Sequence, residues 1–123
     1  MKNEEIIKLI ESLEEPDLLE KIGNELNGKN AFPLSKKEAI KKGKKWFDNQ
    51  YLTISKILCS NPKVIEFSQG DLTLSDSALL TIEILNLLTD AISGVEPILI
   101  AILVVKKGIP RFCQNYWEAT AEK

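Results

Sequence analysis

Eight consecutive apolar residues, Ile98 to Val105, run through the segment VEPILIAILVVKKGIP without one polar side chain among them. Three structures can bury such a run: a membrane span, a strand inside a parallel sheet, or a helix enclosed by protein. A bilayer core takes about 20 mostly apolar helical residues. This run is less than half that length and is bracketed by Glu96-Pro97 and Lys106-Lys107, so it is too short to cross. Its isoleucine and valine content suits a parallel strand, but parallel strands need sisters, and no second β-rich run occurs in the 123 residues. Pro97 fits the first turn of a helix, where its missing N–H costs nothing. Lys106 and Lys107 suit the negative end of the helix, and Gly108 suits a left-handed terminus. The sequence therefore predicts an all-α fold: a compact bundle of six or seven helices around a short, fully apolar helix at about 97–107.

The remainder of the chain has the periodicity such a bundle needs. Ile6, Ile7, Leu9, Ile10 and Leu13 fall on one helical face, and Leu18, Leu19, Ile22 and Leu26 continue after Pro16, so residues 1–28 read as an amphipathic hairpin ending near Gly28. GKNAFPLS is then a connector. Ser35 with Glu38 matches a capping box that opens a basic helix over 35–60, with Ile40, Phe47, Tyr51, Ile54 and Leu58 inward, Gly43 filling a slot, and Asn49-Gln50 its weakest point. Asn61-Pro62 caps a short helix over 62–69 that ends near Gly70. Thr73 or Ser75 starts an apolar hairpin over 74–107, whose first arm runs to Ser93-Gly94 and whose second is the opening run. A last helix over 109–118 brings Phe112, Tyr116 and Trp117 back against the centre, with Ala119 to Lys123 fraying. The length is that of one domain, 1–123.

What the chain lacks narrows its chemistry. There is no histidine, so a serine or cysteine nucleophile has no imidazole partner, and the commonest metal ligand and neutral-pH proton shuttle are both missing. Cys59 and Cys113 lack CxxC spacing and are read as buried free thiols. No phosphate loop, dinucleotide fingerprint, serine elbow or zinc spacing is present. No catalytic residue, cofactor or metal site is expected. The acid-rich start, MKNEEIIKLIESLEE, does not resemble an export signal, which points to the cytoplasm.

Charge is arranged in blocks. Residues 1–28 carry eight acids and three lysines; 29–63 carry nine lysines and two acids; 64–96 carry six acids and no base; 97–123 carry four bases and two acids. Such alternation can let oppositely charged helices lie side by side. The densest block is SKKEAIKKGKKW, with Lys36, Lys37, Lys41, Lys42, Lys44 and Lys45 in ten residues. On a helix Lys37, Lys41, Lys44 and Lys45 share a face, suited either to phosphate and acidic-lipid anions or to ion pairs with acids of helices one, two or five. Asp76, Glu83, Asn86 and Asp90 form a polar stripe on the fifth helix that can hold a cation, though a solvent-facing edge is the more ordinary reading. Trp46, Tyr116 and Trp117 are candidate interface anchors, or else part of the core.

From these features the expected function is that of a non-enzymatic protein–protein interaction domain, an adaptor, regulatory subunit or homo-oligomer. Two alternatives belong to other classes: an anion-binding module for nucleic acid or acidic membrane using the Lys36–Lys45 face, and a membrane-active helical hairpin over 77–107.

Overall fold

The computed structural model describes residues 2–28 and 32–121, and within them eight helices and no strand. They are α1 (Asn3–Ser12), α2 (Glu15–Asn27), α3 (Lys36–Asn49), α4 (Tyr51–Leu58), α5 (Pro62–Phe67), α6 (Leu74–Leu88), α7 (Pro97–Lys107) and α8 (Ile109–Ala121). The all-α bundle expected from sequence is the architecture observed. At its centre, every residue from Ile98 to Val104 is buried, and Val105 is half-buried. Four helices, α1, α2, α6 and α8, pack directly around α7. Gly108, at φ 90°, ends it by turning its N–H onto the carbonyls of Val104 (2.9 Å) and Val105 (3.2 Å), a conformation an L side chain rarely adopts. Among the described residues no helix is long and apolar enough to cross a membrane.

Local chemistry sets the helix starts. Ser35 accepts a hydrogen bond from the Glu38 amide at 3.2 Å while Glu38 accepts one from the Ser35 amide at 3.3 Å; Thr73 and Asp76 make the same reciprocal pair at 3.1 and 3.2 Å. Asn61 accepts from the amides of Lys63 and Val64, and Pro62 opens α5. At α2 the box is built from Glu14 and Asp17, a combination in which glutamate replaces the usual short cap.

Three expected helix bounds need correction. The basic helix predicted over 35–60 is two helices, because the backbone breaks at Gln50 (φ −91°, ψ 0°), whose N–H still reaches the Trp46 carbonyl at 3.0 Å. That division is why the count is eight rather than six or seven. The first arm of the apolar hairpin stops at Leu88 rather than Ser93, and Ala91 and Ile92 fold back in a turn with their amides on the Leu88 carbonyl. The last helix runs to Ala121, past the predicted fraying point at Ala119; Glu122 and Lys123 lie outside the described residues, as do 29–31 of the connector.

Cys59 and Cys113 are not free thiols. They are 54 residues apart in sequence, and the packing of α8 on α4 brings their Cα atoms to 5.6 Å and joins them in a disulfide. Two hydrogen bonds flank it: the Trp117 indole N–H donates to the Cys59 carbonyl (2.8 Å), and the Tyr51 hydroxyl donates to the Phe112 carbonyl (2.6 Å). The rings of Phe47 and Tyr51 pack on Phe112 at centroid distances of 5.9 and 5.1 Å, extending the same seam.

Candidate functional site

The position of α3 follows from two glycines. A Cβ at Gly23 would stand 1.9 Å from the Ala39 carbonyl oxygen, and one at Gly43 would stand 2.1 Å from that of Leu19. The two helices therefore touch backbone to backbone. The pairs 23 with 39 and 19 with 43 run in opposite order, so α3 lies antiparallel on α2. Ala39, Gly43 and Phe47 are its buried residues; Ile40, predicted inward, is only half-buried, because the small residue beside it allows the closer approach. Beyond α2 and its chain neighbour α4, α3 reaches the bundle through Phe47, which meets Phe112 of α8 and Lys107 of α7.

One narrow stripe thus packs, and the rest of α3 faces outward. Lys36, Lys37, Lys41, Lys42, Lys44 and Lys45 are all exposed. Lys41, Lys44 and Lys45 border a shallow depression with Asp48 and Asn49, as the helical phase predicts, and Lys42 and Lys45 border a second one beside Trp46. Among the described residues, the ion pairs with acids of neighbouring helices, the ordinary reading of this block, are not formed. Among the described residues the salt bridges are Lys107 with Glu15 at 2.9 Å and Lys106 with Glu14 at 3.9 Å, both fastening the end of α7 to the start of α2. Lys107 also lies 5.8 Å from the centroid of the Phe47 ring. Within the lysine segment itself, Glu38 accepts hydrogen bonds from Ser35, whose side chain and then backbone hold its carboxyl below the usual glutamate range, so it stays ionised at the head of the helix.

The other candidates fall elsewhere. Trp46, Tyr116 and Trp117 are each half-buried against the core, with Trp46 on α3 and the other two on α8. Asp76 and Glu83 are half-buried while Asn86 and Asp90 are exposed, and no group of three or more potential metal ligands occurs among the described residues. A groove of about 520 Å³ was not visible in sequence. It lies between α1, α2 and the start of α7, lined by Leu9, Leu13, Lys21, Asn24, Glu25, Glu96, Ile98 and Leu99. Glu25 there accepts a hydrogen bond from the Glu96 amide at 2.9 Å and caps α7 from a different helix. Burial pushes its carboxyl up from the ordinary value, with the Glu96 carboxylate adding to the effect and the hydrogen bond opposing it.

Compared with protein-family models, with curated protein sequences and with solved structures, the chain matches none.

Proposed function

We propose that this chain is a non-enzymatic binding module that works through protein–protein contacts, with α3 as the element that meets an acidic partner surface. The observation that carries this reading is that six lysines stand exposed on a helix held by one narrow stripe, with no acid in salt-bridge contact among the described residues. Exposed like charges carried on one helix make no internal pairs, so an acidic surface gains Coulomb energy without first breaking any. An adaptor or regulatory role fits a chain with no histidine. The near absence of arginine and the lack of aromatics between the lysines weigh against nucleic acid as the partner. The hairpin over 77–107 is a weaker membrane reading, since the side chains of α7 are already enclosed by the bundle.

The test is retention on immobilised polyglutamate at low salt. Wild type is retained and elutes as salt rises, while Lys41→Gln/Lys44→Gln/Lys45→Gln is not. Retention by heparin or anionic vesicles but not by polyglutamate would reassign the face to phosphate and sulfate polyanions. Behaviour no different from a charge-matched control would end the proposal.

Disulfides persist in oxidising surroundings and are rare in the cytosol. A cytoplasmic location therefore requires Cys59 and Cys113 to be held reduced there, and acid-quenched alkylation of cell extracts reads that directly.

A further inference from the structure

The segment from Val64 to Glu96 carries six acids and no base, although Lys63, one residue before it on α5, lines the same depression as Glu66, Asp71 and Asp76. Among the described residues its acids form no salt bridge with the lysines of α3. α3 packs on α2 and touches α4, and makes no substantial contact with α5 or α6, so the lysine face does not meet the acidic segment within one molecule. Glu66, Asp71 and Asp90 are exposed and Asp76 and Glu83 half-buried, and none of the five is in a salt bridge among the described residues.

A second, independent observation concerns apolar exposure. Among the described residues five large hydrophobic side chains are exposed: Phe32 (83%), Leu52 (76%), Leu72 (38%), Leu74 (47%) and Leu79 (48%). Phe32 and Leu52 flank α3 in the chain, and Leu72, Leu74 and Leu79 belong to the acidic segment. The apolar side chains left uncovered thus lie, along the chain, either just outside the lysine helix or within the acidic segment. Charged residues around exposed apolar side chains are the pattern of a surface that binds protein. The helices are also of similar length, α3 about 21 Å and α6 about 22 Å.

We infer that the acidic partner of α3 is a second copy of this chain, with the lysine face of one molecule seated on the α5–α6 face of the next, and with Phe32 and Leu52 packing near Leu72, Leu74 and Leu79. This rests on the reading of α3 as the binding element and adds the identity of its partner. The two patches differ, so the contact is heterologous: copies join head to tail, and the pairing either closes into a ring or continues as a chain.

Sedimentation velocity of the full chain tests it. Screening lengths fall from about 30 Å at 0.01 M salt to about 3 Å at 1 M, so the wild type should associate at the low end and return to monomer at the high end. Lys41→Glu/Lys45→Glu and Glu66→Lys/Asp71→Lys should each weaken self-association by about tenfold or more while keeping the helical circular dichroism of the wild type. Mixing the two variants should restore association, because each then presents the charge the other lacks. Leu74→Ser/Leu79→Ser should weaken it with no change in charge. A wild type that stays monomeric at 0.01 M salt, or variants whose mixture does no better than either alone, overturns the inference. If such a monomer is still retained on polyglutamate, only the partner assignment has failed; loss of both results shows that α3 is not the binding element.

Discussion

Replacing Gly23 by alanine sets two well-characterised effects against each other, and the geometry decides between them. At an exposed position inside a helix, glycine to alanine stabilises by about 1 kcal/mol through backbone entropy. Here the new Cβ would lie 1.9 Å from the Ala39 oxygen and 2.6 Å from its carbonyl carbon, whereas real Cβ contacts are essentially never under 3.0 Å, so α2 and α3 would have to part by about 1.1 Å. The obstacle is backbone, and no rotamer change relieves it. Overpacking of this kind costs about 1–3 kcal/mol, and a rigid collision belongs at or above the upper end, leaving a net loss of about 2 kcal/mol or more after the propensity gain. Gly43→Ala meets the Leu19 carbonyl in the same way and should behave alike. Because separating the helices once relieves both contacts, the double variant should lose less than the sum of the two. Urea unfolding with the disulfide intact measures this, and the melting temperature should fall by about 3–6 °C per kcal/mol for a chain of this size. Stabilisation by either single substitution would refute the close approach of α2 and α3, and with it the placement of the lysine face.

Three further outcomes follow from other contacts. Cys59→Ala/Cys113→Ala removes a cross-link spanning 54 residues, for which chain entropy alone gives about 4 kcal/mol; a loss of about 2–4 kcal/mol in the urea midpoint, matched by adding reductant to the wild type, is expected. Glu25 has its carboxyl raised chiefly by burial, so the folded state holds that proton more tightly than the unfolded chain does. Its ionisation therefore costs stability as pH rises from the ordinary 4.5 through the higher folded value; Glu25→Gln, which keeps an acceptor for the Glu96 amide, should flatten that stretch of the pH profile and be no less stable at pH 7. A loss above about 1 kcal/mol at pH 7 would instead show that the charge itself matters at the start of α7. Trp117→Phe keeps most of the apolar contact but strands the Cys59 carbonyl, and should cost about 1–2 kcal/mol by thermal or urea unfolding.

What could be read from sequence was local. The run Ile98 to Val105 specified an enclosed helix because its length excludes a span and its flanks are those of a helix, and the caps at Ser35, Asn61 and Thr73 were legible because each is a contact over two or three residues. The outward phase of Lys37, Lys41, Lys44 and Lys45 was legible for the same reason. The rest depended on contacts across many residues. Nothing near Cys59 points to Cys113, and nothing near Gly23 reveals that Ala39 will press on it, so the disulfide and the choice of Ala39 over Ile40 as the buried residue emerge only from the fold. Whether the lysines would pair with internal acids likewise depended on side-chain placement: α3 packs on the acid-bearing α2, yet among the described residues none of its lysines is in a salt bridge.

The bond between Cys59 and Cys113 closes a loop that includes α5, α6, α7 and the turns at Gly70 and Gly94. A protease that nicks either turn would release no fragment: the two pieces remain one covalent molecule and migrate together until a reductant is added. Any fate that depends on clipping this chain open, clearance or activation alike, is therefore coupled to the redox state of its surroundings.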